Sequence, residues 1–153
     1  MTEINILSHG VAAPPFDMTR LTSWVEAVAQ AHGRRVGRLT YVFCDDEYIL
    51  QTNREFLQHD YYTDIITFDY STSRRISGDM VISLDTVRSN AEQGGVGQSD
   101  ELCRVVIHGV LHLCGINDKG PGEREVMEQH ENAALAMRPD GLLSSDHLVT
   151  PDR

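Results

Sequence analysis

The sequence predicts an α/β domain: a small mixed sheet of four strands covered by about five helices. Three observations predict it. Strand-like and helix-like stretches alternate in the order β-α-β-α-β-β-α-α-α, which favours layers of both in one unit. Helix-like stretches carry apolar residues at i, i+3, i+4 and i+7, whereas strand-like ones are short and rich in β-branched and aromatic residues. Finally, 153 residues, 41% of them hydrophobic, suffice for one core without disulfide staples.

Residues 3–8 alternate as a first strand. Pro14 and Pro15 break the chain, and Asp17 stands as N-cap of a helix from Met18 to about His32, ending at Gly33. Leu21, Trp24, Val25 and Val28 share its buried face. A second strand runs from Val36 to Cys44, with Leu39, Tyr41 and Phe43 on one side. Asp45 and Asp46 cap a helix through roughly Leu57, whose inner face holds Ile49, Leu50, Asn53, Phe56 and Leu57. The third strand is Thr63-Asp64-Ile65-Ile66-Thr67-Phe68. A polar turn joins it to the fourth, residues 78–83, close enough in sequence for a hairpin. Asp85 opens a helix ending near Gly94 and Gly95.

The next helix is the central one. Ser99 is its expected N-cap, and Asp100 and Glu101 complement its dipole. Leu102, Val105, Val106, Val110, Leu111, Leu113 and Cys114 make it apolar over much of its circumference, so it is buried on several sides. A last amphipathic helix begins near Pro121 and runs to about Met137. One domain is expected over residues 1–137, with an exposed tail over 138–153.

Charge and cysteine usage narrow the function. The formal net charge is −10, so any attraction for a polyphosphate must be local or carried by a bound cation. Arg34, Arg35, Arg38, Arg54, Arg74 and Arg75 are the candidate local charges. Cys44, Cys103 and Cys114 lack CxxC spacing and read as reduced, buried thiols of a cytoplasmic protein. No apolar run is long enough to span a membrane, and no secretory signal is expected.

Chemistry concentrates in His108-Gly-Val-Leu-His112-Leu-Cys-Gly115-Ile-Asn-Asp118. Histidines four apart lie on one helix face. Gly115 suits the reversal that ends the helix and turns Asp118 back towards them. Two imidazoles and a carboxylate would make a three-ligand metal site with an open position, suited to hydrolysis. Helical histidine pairs alone are weak evidence; the glycine and the ligand three residues beyond it match the spacing of metzincin peptidases. Those enzymes need a glutamate after the first histidine as base, and here that residue is Gly109. A glycine inside a helix costs about 1 kcal/mol relative to alanine, which points to close packing or a need for space. Asp118 has a second possible role as cap of the last helix.

The same stretch resembles the YbeY endoribonucleases, or rRNA maturation factors, whose pattern is His-Gly-x-Leu-His-Leu-x-Gly-Tyr-Asp-His. Thr63–Phe68 is similar to that family's Thr-Asn-Val-Leu-Ser-Phe strand, and Gly78–Ile82 to its Gly-Asp-Ile-x-Ile strand. The resemblance spans most of residues 1–137. It implies a cytoplasmic endoribonuclease that prefers single strands, holds one zinc ion per chain, and matures ribosomal RNA alongside ribosome or ribosomal-subunit proteins, with no membrane or DNA partner. His108 and His112 carry over as ligands, and Asp118 falls where the family has a third histidine. Aspartate makes the site more anionic and harder. His130 is a distant substitute ligand. The family's arginine before the Thr-Asn strand aligns with Leu57; Arg54, three residues earlier, is the candidate catalytic phosphate contact. Glu123, Glu125, Asp64 and Asp79 are candidate general bases, Asp79 alternatively a hydrogen-bond partner of a ligand histidine. Two rivals remain: a metal-dependent hydrolase of another substrate, and a non-catalytic ribosome-assembly factor with a structural metal.

Overall fold

The computed structural model describes residues 2–57 and 63–143. Its elements are β1 (Glu3–His9), α1 (Met18–Ala31), β2 (Arg35–Cys44), α2 (Asp46–Thr52), a π-helical turn (Asn53–Leu57), β3 (Ile65–Asp69), β4 (Arg75–Ser83), α3 (Leu84–Gly94), α4 (Gln98–Leu113) and α5 (Glu123–Ala136). The described strands form one mixed sheet in the order β1-β2-β4-β3. β1, β2 and β4 are parallel, and β3 returns antiparallel to β4 as the expected hairpin.

Strand alternation sorts side chains to two unequal faces. Leu39, Tyr41, Phe43, Ile76, Met80 and Ile82 face the main core, with α1, α3, α4 and α5 over them. Cys44, Ile66 and Val81 point the other way and pack beneath Ile49 of α2. The helix α4 lies against β3 and β4 because Gly109 lets it. A Cβ there would fall 2.5 Å from Met80 Sδ and 3.0 Å from Ile65 Cδ1. Trp24 is 1% exposed, and its indole N–H donates to the Ala134 carbonyl at 2.9 Å, tying α1 to α5. Replacing it with phenylalanine removes that bond and leaves the carbonyl with the Met137 N–H alone, at 3.0 Å. A loss of about 1 kcal/mol is expected in urea denaturation, and an unchanged midpoint would deny the bond its weight.

Several caps differ from expectation. Ser99 is not the N-cap of α4: the cap lies two residues sooner, at Gly97, which makes no side-chain bond, and its carbonyl takes the Glu101 N–H. The acids Asp100 and Glu101 in the first turn complement the dipole without a hydroxyl cap. Asp45 alone caps α2, and Ser83 rather than Asp85 caps α3. Asp46 is thereby free to accept from the hydroxyls of Ser83 (2.6 Å) and Thr86 (2.5 Å), which ties α2 to the start of α3. The second helix also does not run on to Leu57 as an α-helix; it widens into the π turn at Asn53.

Asp118 caps nothing: Gly122 precedes α5, with no side-chain cap bond. Within the stretch expected as a tail, Leu142 is 3% exposed, and its carbonyl receives the Asp17 N–H at 2.8 Å. Residues 144–153 of that stretch lie outside the described residues. All three cysteines are free and buried. No helix among the described residues is long and apolar enough to cross a membrane.

Candidate active site

Helix α4 ends in the reversal that the sequence demands. The Gly115 N–H bonds to the His112 carbonyl at 2.9 Å and the Ile116 N–H to that of Leu111 at 3.1 Å, the paired bonds of a Schellman motif. Gly115 has φ 96°, a conformation open to glycine and strained for other residues. Ile116 packs on the core and fixes the exit direction. The return brings Asp118 Oδ2 to 3.4 Å from His108 Nε2.

The other nitrogen of His108 is held from α5. Its Nδ1 lies 2.6 Å from Glu131 Oε2. An ionised carboxylate only accepts, so Nδ1 carries the proton, and in the neutral imidazole the Nε2 lone pair points at the Asp118 side. Glu131 is 8% exposed, and its second oxygen takes a bond from Arg104 Nη1 at 2.8 Å, while Arg104 Nη2 donates to Asn132 Oδ1. Burial pushes the Glu131 carboxyl up, but the bonds and charges of His108 and Arg104 outweigh it and hold its pKa below the usual value. Burial opposes a charged His108 as well, yet the Glu131 bond and the charges of Glu131, Asp118 and Asp64 raise its pKa.

Two adjoining clefts meet at this point, with volumes of about 580 and 390 Å³, and Asp64, His108 and Asp118 line both. His112 lines the second, with Thr63–Thr67, Asn53, Leu57 and Lys119. Arg104 and Arg124 line the first. Of the four carboxylates considered as bases, Asp64 alone lines these clefts. Burial raises its pKa, with the charge of His108 pulling the other way.

Among the described residues, no three His, Cys, Asp or Glu side chains stand together as a group that could hold a metal ion. His108 and Asp118 converge, and His112 faces the same cleft one turn along α4. The donor set still suits a divalent cation. A carboxylate fixing the Nδ1–H of one imidazole while Nε2 faces a second carboxylate is the arrangement that orients metal-binding histidines. Aspartate and histidine together suit zinc or a harder divalent ion.

The other expected residues stand apart. Arg54 is exposed on the π turn, and it is Asn53 and Leu57 that reach the cleft wall. His130 packs edge-on against His32, with ring centroids 5.0 Å apart. Asp79 pairs across from Phe68 on β3, and the bond to a ligand histidine comes from Glu131 instead. Glu131 and Arg104 had sequence signals that were passed over. Arg104 is four residues before His108 on its helix face, and Glu131 takes a core position between Met127 and Ala134.

Comparison with known proteins adds the family. The sequence profile described as Endoribonuclease YbeY matches residues 12–138. The chain belongs to this family. A YbeY relative from Bacteroides thetaiotaomicron, named an endoribonuclease, is 61% identical over 131 residues, covering 86% of this chain and 96% of that one. YbeY proteins of the same name from Phocaeicola vulgatus (60% identical; 88% and 97% covered) and Porphyromonas gingivalis (49%; 90% and 91%) also align. The solution structure of a Thermotoga maritima protein superposes with a TM-score of 0.62 at 24% identity, covering 88% of this chain and 87% of that chain, so the two share a fold.

Proposed function

We propose that this chain is a zinc-dependent endoribonuclease of single-stranded RNA, acting in the cytoplasm on ribosomal RNA during ribosome biogenesis, in contact with ribosomal proteins. The observation that carries the metal part is the doubly held His108, with Nδ1 on Glu131 at 2.6 Å and Nε2 facing Asp118 at 3.4 Å in a cleft that His112 shares. His108, His112 and Asp118 would hold the ion. Bound there, zinc supplies Lewis-acid polarisation of a phosphoryl oxygen and a water acidic enough to attack phosphorus.

The chain's own residues do the remainder. Glu131 orients His108. Asp64, half-buried at the meeting of the clefts with a raised pKa, is the carboxyl suited to take a proton from the attacking water and return it to the leaving oxygen. Lys119 and Arg124 at the cleft walls supply positive charge to the phosphate on a protein of net charge −10, and Arg54, exposed on the π turn beside the wall residues Asn53 and Leu57, would meet the RNA outside the cleft. Family membership and the relatives' names support RNA as the substrate.

The test is zinc content and cleavage of single-stranded RNA by wild type, His112→Ala and Asp118→Ala. Stoichiometric zinc in the wild type, lost from both variants together with about 100-fold or more of the cleavage rate, is the expected result. Variants that keep both zinc and activity would remove the trio from the mechanism. A wild type that binds zinc without cutting RNA would leave only an assembly role.

A further inference from the structure

The second face of the sheet is covered, among the described elements, by the short helix α2 through Tyr48 and Ile49 and by the π turn through Phe56. Beyond them the face continues along β3 and β4, away from the cleft. Phe68 lies at the margin of that packing, and Phe56, 65% exposed, meets it edge-on with centroids 5.9 Å apart. The Tyr70 N–H bonds to the Ser77 carbonyl at 2.9 Å, so the β3–β4 ladder extends one residue past Asp69. Alternation then puts Tyr70, 63% exposed, on the same face as Phe68 and diagonal to Arg75.

Arg75 is in register with Arg35 on β2, and both are exposed. Gly37 makes room for Arg75: a Cβ there would fall 2.8 Å from Arg75 Cδ and 2.9 Å from its Cγ. Among the described residues, neither arginine has a carboxylate within ion-pair distance. Asp79, opposite Phe68, and Glu3, which pairs with Arg38 at 3.5 Å, are acids on this face. Like charges side by side on neighbouring strands weaken a sheet. An anionic partner would reverse the sign of that interaction.

We propose that Phe56, Phe68, Tyr70, Arg75 and Arg35 form a platform for single-stranded RNA running on from the cleft, an inference that rests on the nuclease reading. Ile66 lines the cleft, and Tyr70 lies four residues further along the strand, about 13 Å away. One RNA strand therefore reaches both. Exposed aromatic rings stack on bases of any sequence, and the guanidinium fork takes phosphate oxygens. Rings interleaved with arginines match a ligand that carries both bases and phosphates, and match an acidic peptide less well.

The full chain as purified is titrated on ice into a labelled single-stranded oligoribonucleotide of about 24 nucleotides, and anisotropy is read across a salt series. Each lost phosphate contact lowers the slope of log affinity on log salt by about 0.7. Arg35→Ala/Arg75→Ala should therefore lower the slope by about 1.4 and weaken binding about 25-fold near 0.1 M salt. Tyr70→Ala should weaken it about tenfold. The thermal midpoint of the double variant should hold or rise, since a like-charge pair is removed. Unchanged affinity and slope would overturn the platform. So would retained RNA binding with lost binding of polyglutamate, which would assign the face to an acidic protein. Cleavage is scored separately: a chain that cuts no RNA but binds it through these residues would sink the nuclease reading and keep this one.

Discussion

Replacing Glu131 with alanine is expected to weaken zinc binding by about 10- to 100-fold and to lower cleavage with it, although Glu131 is not one of the proposed ligands. The reason is geometric. Glu131 accepts the Nδ1–H of His108 at 2.6 Å and so fixes both the tautomer and the ring plane that aim Nε2 towards Asp118. Without it the imidazole can rotate, and the proton can move to the nitrogen that must ligate. Glu131→Gln keeps an acceptor at the same place and should recover part of the affinity. The loss also strips Arg104 of its carboxylate, so about 2 kcal/mol of stability goes as well. Zinc titration separates the two effects, because a purely structural role would lower the melting temperature without changing affinity below it. Alanine and glutamine variants binding zinc like wild type would end the positioning role.

The same pair sets a pH dependence in the metal-free chain. Glu131 has a lowered pKa, so its contribution is complete above the ordinary carboxylate range and fades as pH falls through the lowered value. His108 has a raised pKa, so its contribution is complete below the ordinary imidazole range and fades as pH rises through the raised value. The joint contribution is therefore full between about pH 4.3 and 6.5. Thermal melts in chelator should show the wild type losing its margin over Glu131→Gln on either side of that window.

Much of the fold was legible because it depends on local pattern. Apolar periodicity placed every described helix and strand within a few residues, and a polar turn between strand-like runs marked the hairpin. What escaped depends on tertiary context. Nothing local says that the second helix widens at Asn53. In a helix closed by i→i+5 bonds, residues three apart cease to share a face, so Leu57 reaches the cleft wall while Arg54, an exposed residue, does not line it. Glu131 was hidden differently. A charged residue at a core-facing position of an amphipathic helix looks like an interruption until its partner on another helix, 23 positions earlier, is known. His130, its neighbour, drew attention for its ring, yet sits a residue off that face, against His32.

Gly109→Val is expected to destabilise the chain by about 3 kcal/mol, near the upper end of what overpacking costs. Read as sequence, Gly109 was notable for the glutamate it displaces from the peptidase pattern. The structure gives it a positive role. Even one added carbon would lie 2.5 Å from Met80 Sδ and 3.0 Å from Ile65 Cδ1, in a core where Met80 has no exposed surface. The valine must push α4 away from β3 and β4 or force Met80 out of its rotamer. Because His108 and His112 ride on α4 while Thr67 lies in β3 and Asp64 just before it, a shift of the helix changes the cleft as well as the core. Gly109→Ala should cost less, since helix propensity returns about 1 kcal/mol and a methionine side chain can yield. Urea denaturation of Gly109→Val with and without Met80→Ala checks the cause: the double variant should lose less than the sum of the two single losses. Strict additivity would mean that the contact with Met80 is not what excludes a side chain, and that the glycine answers to something other than the close approach of helix and sheet.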